Sequence, residues 1–287
     1  MTTRAATILF TAVIAARATA FLFSKLLLVE MGPFTLMGLR FLLAFALLAV
    51  IFRKNLASMT RRAFTHGLLL GALFFVVMGF ELCALTTAAS STVSFLENTA
   101  IVFVPVAEAF IARKLPTAKA VACTVVVMIG VALVTLGDAA VSFGIGEALA
   151  LGAAVVYAVV IIVTARVSQD DDATCLGVLQ VGFIGLFGAV ASVIFEQPVL
   201  PAGATEWVYL AFLVIVCTGF GFTFQPMAQR FISTQRASTL LAVSPLVAGV
   251  LGIVVLDEPF GPGTLIGMAL IIGGIIATSY EGKHSEA

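Results

Sequence analysis

The second half of this chain repeats landmarks of its first half about 140 to 144 residues later. The matched positions are Leu36, Leu39 and Arg40 with Leu176, Leu179 and Gln180, and Gly130 with Gly274. Each half also contains roughly five apolar stretches that are long enough to cross a lipid bilayer. An odd number of crossings per repeat places the two copies in opposite orientations. The pattern therefore predicts an inverted repeat, which is typical of transporters that work by alternating access.

The composition assigns the chain to the membrane. Hydrophobic residues make up 61% of the 287 residues and charged residues only 10%, whereas soluble domains contain about 25% charged residues. A net charge of 0 predicts no nucleic-acid partner. The cysteines lie in or beside apolar stretches without the spacing of a metal site, so we predict core thiols and neither a metal nor a cofactor.

Ten candidate spans follow from the requirement that a helix needs about 20 residues to cross the hydrocarbon core. They cover residues 6–28, 34–52, 66–88, 91–113, 118–136, 145–167, 174–196, 206–228, 236–256 and 263–280. The break at residues 88–91 has neither a charge nor a proline. If the third and fourth spans formed one helix, the count would be nine and the carboxyl terminus would change sides.

Basic residues segregate to one side of the ten-span arrangement. With the amino terminus in the cytoplasm, twelve of the 15 Lys and Arg residues lie in inner segments and the outer loops contain none. By the positive-inside rule, both termini are predicted to be cytoplasmic, in an inner membrane. We predict an all-α integral membrane protein with ten transmembrane helices, in which residues 1–140 and 141–287 form two inverted five-helix repeats.

Charged side chains within the spans are functional candidates because a charge in the hydrocarbon core is costly. Arg40, Glu81 and Glu97 lie about 9–10 Å below the predicted outer boundary at about 1.5 Å per residue, and Lys25 lies somewhat shallower. Two interpretations stay open. The four form a polar network that contacts a zwitterionic solute or latches an outer gate, or they form an ion network that satisfies itself.

Arg17 is predicted near the membrane midplane. A guanidinium group binds carboxylates in a bidentate manner, which makes Arg17 a candidate for a solute carboxylate. The alternative is a partner for Glu81 or for backbone carbonyls. Tyr157, a tyrosine in the middle of its span, offers its hydroxyl group to a solute.

The second repeat has neutral counterparts of two buried charges. Gln180 matches Arg40 and Gln225 matches Glu81, so the outer half of the membrane is charged where the inner half is neutral. This asymmetry makes both glutamines candidates for binding or gating. Three prolines within spans are candidate hinges, with passive kinks as the alternative: Pro105, Pro226 and Pro245.

Several stretches resemble the EamA-type drug/metabolite transporter superfamily. The start of the second repeat is similar at residues 146–158, GEALALGAAVVYA, and the ending is similar at Ser244-Pro245-Leu246, Asp257-Glu258-Pro259 and Gly267 to Gly274. The resemblance implies five-plus-five inverted repeats around a central cavity, with peripheral fifth and tenth spans. Phe80-Glu81-Leu82-Cys83-Ala84-Leu85 is similar to the third span of the branch that exports aromatic amino acids, which adds Phe80 to the candidate site.

The leading hypothesis is an exporter of small amphipathic metabolites, with aromatic or large apolar amino acids and related drugs implied by the resemblance. One alternative is a transporter of nucleotide sugars or organic cations. Another is a lipid-modifying membrane enzyme, for which the chain offers no cluster of catalytic acids or histidines at one interface. The expected partners are a small-molecule solute and the bilayer, and the chain is predicted to be a monomer or a weak homo-oligomer.

Overall fold

The computed structural model describes residues 1–88, 90–113, 118–136, 144–247, 250 and 262–281, and these residues are almost entirely helical. The helices are α1 (Thr3–Ala18), α2 (Ala20–Leu27), α3 (Pro33–Ile51), α4 (Arg53–Ala57), α5 (Arg61–Thr87), α6 (Ser90–Asn98), α7 (Ala100–Ala112), α8 (Ala118–Leu136), α9 (Ile145–Asp170), α10 (Ala173–Phe195), α11 (Ala204–Phe212), a π-helical segment (Leu213–Phe220), α12 (Gly221–Gln229), α13 (Thr234–Leu240) and α14 (Pro262–Glu281).

Seven helices or joined helices of the described part are long and apolar enough to cross a membrane. They are Thr3–Leu27, Pro33–Ile51, Arg61–Thr87, Thr92–Ala109, Ile145–Asp170, Ala173–Phe195 and Ala204–Gln229. Predicted spans five and ten coincide with α8 and α14, and span nine begins within α13. The loops with Lys114, Asp138 and Asp257-Glu258-Pro259 lie outside the described residues, and the total of ten crossings stays a prediction.

The third and fourth predicted spans are two separate helices. The helix of the third predicted span, α5, ends at Thr87, and Ala88 has an extended backbone. Lys25 donates from Nζ to the carbonyl oxygens of Leu85 and Ala88, both at 2.6 Å. A lysine at the carboxyl end of a helix satisfies carbonyls that have no helical partner. Lys25 therefore fixes this helix end, and it does not belong to the charged layer in which the sequence placed it.

Helices α3 and α10, which contain the matched positions Arg40 and Gln180, pack against each other in antiparallel directions. A Cβ atom on Gly38 would lie 2.8 Å from the backbone nitrogen of Ala189. Further along α3, Leu42 faces Gly185, where a Cβ atom would lie 2.7 Å from the Leu42 nitrogen. Small residues allow such close approach of backbones, which stabilises helix pairs in membranes.

Each end of this helix pair is tied by an acidic side chain. At one end, Glu196 after α10 accepts hydrogen bonds from the backbone nitrogens of Phe34 and Thr35 at 2.9 and 2.8 Å. At the other end, Asp172 before α10 accepts from Asn55 Nδ2 at 2.7 Å. A carboxylate at a helix start satisfies free N–H groups and complements the helix dipole. The acids thus hold the two helices in register.

A second antiparallel pair is formed by α8 and α14. A Cβ atom on Gly130 would lie 2.8 Å from the carbonyl oxygen of Gly267, and one on Gly274 would meet the side chain of Val127. Gly130 and Gly274 are the glycines that match between the two halves of the sequence. Both helices contact mainly each other. Val127, Val131 and Ile271 join them to the main buried apolar cluster of the protein.

Candidate functional site

Three helix interruptions surround one cavity near the middle of the protein. The chain departs from regular helix at Thr19 between α1 and α2, and at Thr99 between α6 and α7. After α13, Ala242 and Ser244 donate backbone hydrogen bonds three residues back, to Thr239 and Leu241. Interrupted helices in membrane proteins occur where they line a cavity and release backbone polar groups toward it. The local sequence thus places irregular backbone around the site.

The cavity brings together four of the charged side chains that the sequence singled out. Arg17 from α1, Arg40 from α3, Glu81 from α5 and Glu97 from α6 all line it. The enclosed space is small in this conformation, with about 30 Å³ open to the centre of a water molecule. Polar side chains and apolar side chains complete the wall, among them Asn98, Tyr157, Ser244, Phe21, Met78 and Phe222. An amphipathic lining of this kind suits a solute that has both charged and apolar parts.

Arg17 lies in an aromatic cage and joins three helices. Its Nη1 donates to the hydroxyl of Tyr157 at 2.6 Å and to Gln225 Oε1 at 2.9 Å. Its guanidinium carbon lies 4.3, 5.1 and 5.6 Å from the ring centres of Phe222, Tyr157 and Phe74. Cation–π contacts at this range are favourable, and more so where water is excluded. Arg17 is therefore held in place by its neighbours while it still lines the cavity.

A π-helical segment, Leu213–Phe220, positions both cavity arginines. Thr218 within it accepts a hydrogen bond from Arg40 Nε at 2.5 Å. Immediately after it, Gly221 leaves room for Arg17, because a Cβ atom there would lie 2.7 Å from Arg17 Cγ. Short π-helical segments often occur at functional sites because the extra residue per turn redirects side chains.

Arg40 and Glu97 each present a polar atom with no partner. Arg40 is 1% exposed, and its Nη1 makes no hydrogen bond. Glu97 is 5% exposed, and its Oε2 makes none either. Among the described residues, no ion pair joins the arginines and glutamates of the cavity. A buried polar atom without a partner is costly, which marks both positions as candidates for contact with a bound solute.

The two acidic side chains of the cavity are neighbours. Glu81 is 4% exposed and lines the same cavity as Glu97. The two residues come from different helices, α5 and α6, which meet at the break near Ala88. The short connection between these helices is what brings the two carboxyl groups together.

Three predicted site residues lie outside the cavity lining. Gln180 is fully buried and donates from Nε2 to the backbone carbonyl of Phe222 at 2.5 Å. Gln225 reaches the site only through Arg17. Phe80 packs against Gly152, where a Cβ atom would lie 3.2 Å from its ring.

The three prolines have different surroundings. Pro105 lies within α7 and lines a separate apolar groove between α7 and α8. Pro226 lies within α12, one turn after Phe222. Pro245 follows Ser244, directly after the backbone irregularity at the end of α13. Pro226 and Pro245 thus lie near the cavity, whereas Pro105 faces elsewhere.

Several residues of the site were not singled out from the sequence. Phe74 lies on the same face of α5 as Met78 and Glu81, four and seven residues earlier, so helical spacing was a signal for it. Asn98 directly follows a predicted site residue. Thr218 had no signal, because only the π-helical segment turns it toward Arg40.

A second polar cluster lies at the junction of α9 and α10, away from the cavity. Each of three consecutive acids binds a different partner on the segment from α4 to α5. The pairs are Asp170 with Arg62, Asp171 with His66 at 2.5 Å and Asp172 with Asn55 at 2.7 Å. The acidic run therefore connects the second half of the chain to the first half.

Metal-ligating side chains do not gather elsewhere in the described part of the chain. No group of three or more His, Cys, Asp or Glu residues there is arranged to hold a metal ion.

Comparison with known proteins identifies the fold and the family of the chain. A solved structure described only as "Crystal structure of protein" matches with a TM-score of 0.81 and 19% identity, over 99% of each chain. At that identity the likeness shows the fold alone. No curated protein matches the chain. The sequence model of the EamA-like transporter family matches twice, over residues 4–136 and 144–280. The chain therefore belongs to the EamA-like transporter family.

Proposed function

We propose that the protein exports small amphipathic solutes by alternating access, with aromatic or large apolar amino acids and related drugs as its substrates. Membership of the family makes it a multi-pass membrane protein and suggests the transport of small molecules. The direction of transport, the alternation and the solute class are our proposals.

The observation that carries the proposal is the composition of the cavity. Arg40 Nη1 and Glu97 Oε2 are buried without partners, and both residues line the same space. An amino acid carries an ammonium and a carboxylate group, which complement a carboxylate and a guanidinium group. Phe21, Tyr157 and Phe222 supply an aromatic wall beside them. We assign Arg40 to the solute carboxylate and Glu97 to its ammonium group.

Alternating access also needs a barrier that opens at the opposite end of the protein. The acidic cluster at residues 170–172 joins the second half of the chain to Asn55, Arg62 and His66 of the first half. On the predicted topology, this cluster lies at the cytoplasmic end. We propose that it is an inner latch, closed in this conformation while the cavity forms between the same two halves.

The proposed inverted repeat draws support from the two antiparallel helix pairs. In α3 with α10 and in α8 with α14, the partners are helices that match each other in the sequence repeat. Equivalent helices that run in opposite directions are expected when one repeat is turned over relative to the other. We extend this to ten crossings, with repeats at residues 1–140 and 141–287.

Topology is tested independently of the solute. Reporter fusions after Lys54 and after Asp138 are expected on opposite sides of the inner membrane, with Lys54 in the cytoplasm. If both reporters were found on one side, the arrangement of ten crossings with two cytoplasmic termini would be wrong.

The alternative solutes would require different charged side chains in the cavity. A nucleotide sugar carries two phosphate groups, and such groups attract several basic side chains. Only Arg17 and Arg40 line the described cavity, and two carboxyl groups accompany them. An organic cation would use Glu97 and leave Arg40 Nη1 without a partner. The cavity therefore favours a zwitterion over either alternative.

A stability screen of the purified protein tests the proposed solute class. L-phenylalanine and other aromatic amino acids are expected to raise the melting temperature, and UDP-glucose is expected to leave it unchanged. The Arg40→Gln variant is expected to lose the shift, while Arg61→Gln, at an exposed position, keeps it. Stabilisation by nucleotide sugars but not by amino acids would replace our proposal with the alternative.

A further inference from the structure

We propose that the apolar groove between α7 and α8 binds an anionic phospholipid, with an acyl chain in the groove and the phosphate group at the predicted cytoplasmic ends of the two helices. This lipid site is separate from the solute cavity and does not depend on which solute is transported. It follows from the lining of the groove, from the packing of α8 and from basic residues at one end of both helices.

The groove is a large apolar space at the outside of the helix bundle. About 360 Å³ of it is open to the centre of a water molecule, compared with about 30 Å³ in the central cavity. Pockets of about 300–1,000 Å³ are typical of small-molecule sites. Apart from Thr124, the described residues that line the groove are apolar. This lining suits an acyl chain and does not suit a polar solute.

One face of each helix forms the walls of the groove. On α7 the wall contains Val102 and Val106, which are one turn apart, and on α8 it contains Val121, Val125 and Ile129 at the same spacing. All five side chains are exposed. In a protein that belongs to a membrane transporter family, exposed apolar side chains in such a stripe face the hydrocarbon of the bilayer.

The opposite face of α8 is already covered by α14. Gly130 packs against the carbonyl oxygen of Gly267, and Val127 packs against Gly274. At 3.6 residues per turn, Val127 and Gly130 point away from the side of α8 that lines the groove. The α14 helix therefore does not fill the groove, which is left to a molecule from the bilayer.

Basic residues at one end of the groove complement a phosphate group. Arg113, which is exposed, directly follows α7, and Lys119 is the second residue of α8. The groove residue Val121 lies only two positions after Lys119, or about 3 Å along the helix axis. Basic pockets between transmembrane helices on the cytoplasmic side bind anionic lipid head groups. Apolar groove and basic end together match the two parts of an anionic phospholipid.

A second basic pair at the same predicted side offers a comparison. Arg53 and Lys54 follow α3 and are exposed. If basic residues served only to orient the chain in the membrane, the two pairs would be equivalent toward lipids. The lipid site instead assigns phosphate binding to Arg113 and Lys119, because the groove ends beside them.

Native mass spectrometry of the purified full chain in detergent tests the head-group part of the site. Dioleoylphosphatidylglycerol is compared with dioleoylphosphatidylcholine, which has the same chains and no net charge. We expect the wild type to bind the anionic lipid at least about tenfold more tightly. Arg113→Gln combined with Lys119→Gln should lose this preference, and Arg53→Gln combined with Lys54→Gln should keep it. Equal binding of both lipids by the wild type, or equal loss in both double variants, would overturn the assignment.

A groove-filling variant tests the acyl-chain part. Val125→Trp places a large ring in the groove, and Val193→Trp is the matched control at an exposed position on α10. We expect Val125→Trp to weaken binding of dioleoylphosphatidylglycerol by at least about tenfold, while Val193→Trp binds like the wild type. Unchanged binding by Val125→Trp would contradict the site. A wild-type dimer that Val125→Trp dissociates would make a second copy of the chain the occupant and overturn the proposal.

Photocrosslinking of the wild-type protein locates the lipid without any variant. Phosphatidylglycerol with a diazirine in one acyl chain is added at equimolar amounts in detergent, and the labelled peptides are identified by mass spectrometry. We expect the labels to concentrate at residues 100–112 and 118–136. Labels spread evenly over all the apolar helices would show nonspecific association and overturn the proposal.

Discussion

Gln180 donates a hydrogen bond from Nε2 to the backbone carbonyl of Phe222 at 2.5 Å, and this carbonyl is the one that Pro226 deprives of its helical partner. Proline has no backbone N–H, so the carbonyl four residues earlier is left free. In a membrane interior such a group needs another donor. Gln180 therefore supports the backbone of α12, which carries Gln225 and, through it, Arg17.

This relationship predicts compensation between two substitutions. Gln180→Leu is expected to lower the free energy of unfolding by about 1–2 kcal/mol, because it leaves the Phe222 carbonyl unpaired. Pro226→Ala restores a backbone donor, so the double variant is expected to recover most of that loss. A double-mutant cycle on melting in detergent measures the coupling. Strict additivity of the two effects would contradict the assignment.

Close packing of glycines between α3 and α10 predicts that a glycine-to-alanine substitution is destabilising there and not at an open position. Gly38→Ala is expected to lower the free energy of unfolding by about 1–3 kcal/mol, because the new methyl group would enter the backbone of Ala189. Gly273→Ala is the matched control, since nothing lies within 4 Å of a Cβ atom there. Thermal unfolding of both variants gives the comparison. Equal stability of the two would show that the helices do not depend on this contact.

If the acidic cluster at residues 170–172 is an inner latch, breaking it is expected to expose Cys175 to solvent. This cysteine is buried beside Ala63 and Leu179, close to the acidic cluster. Replacement of Asp170 and Asp171 by Asn removes contacts worth together about 1–2 kcal/mol, which shifts an opening equilibrium by about 5–30-fold.

The readout is labelling of Cys175 by a hydrophilic maleimide, located by mass spectrometry. We expect faster labelling in the double Asn variant, with Cys217 in the cavity region as an internal reference and Glu30→Gln as the control variant. Unchanged labelling of Cys175 would mean that the cluster does not hold the inner end closed.

The aromatic cage around Arg17 predicts that Tyr157→Phe weakens solute binding but destabilises the protein less than Tyr157→Ala does. Tyr157→Phe keeps the ring contact with Arg17 but removes the hydroxyl group that accepts its hydrogen bond. A hydrogen bond to a charged group contributes about 1.5–3 kcal/mol. We expect weaker phenylalanine binding by about tenfold, with a smaller loss of melting temperature than in Tyr157→Ala. Binding isotherms that coincide with wild type would remove Arg17 from the account of the site.

Apolar length was sufficient to predict the all-helical membrane architecture, and depth within the spans grouped charged residues that line one cavity in the structure. Apolar length and the segregation of basic residues predicted the bounds of α3, α5, α9 and α10 closely, because the bilayer fixes how long a helix must be. Depth along those helices brought Arg40, Glu81 and Glu97 to one level. Depth does not give rotation about the helix axis, which is why Phe74, on the same face of α5 as Met78 and Glu81, was not identified.

Other features depend on tertiary structure that sequence spacing does not encode. Thr218 reaches Arg40 because a π-helical segment turns it. Lys25 was grouped with the charged layer by depth, yet its long side chain reaches the end of α5. Gln180 matches Arg40 in the sequence repeat. Its hydrogen bond is instead determined by Pro226 on another helix, which leaves the Phe222 carbonyl free. Repeat symmetry relates positions, whereas each partner is set by local packing.

Counterflow in reconstituted vesicles tests the central claim, that the cavity between the two halves carries amino acids across the membrane. Vesicles loaded with unlabelled L-phenylalanine should take up labelled L-phenylalanine when they contain the wild-type protein or Arg61→Gln. Arg40→Gln should lose this uptake by at least about tenfold, because it removes the buried guanidinium group whose Nη1 atom has no hydrogen-bond partner. Equal counterflow by Arg40→Gln and wild type, or none by wild type, would contradict the account.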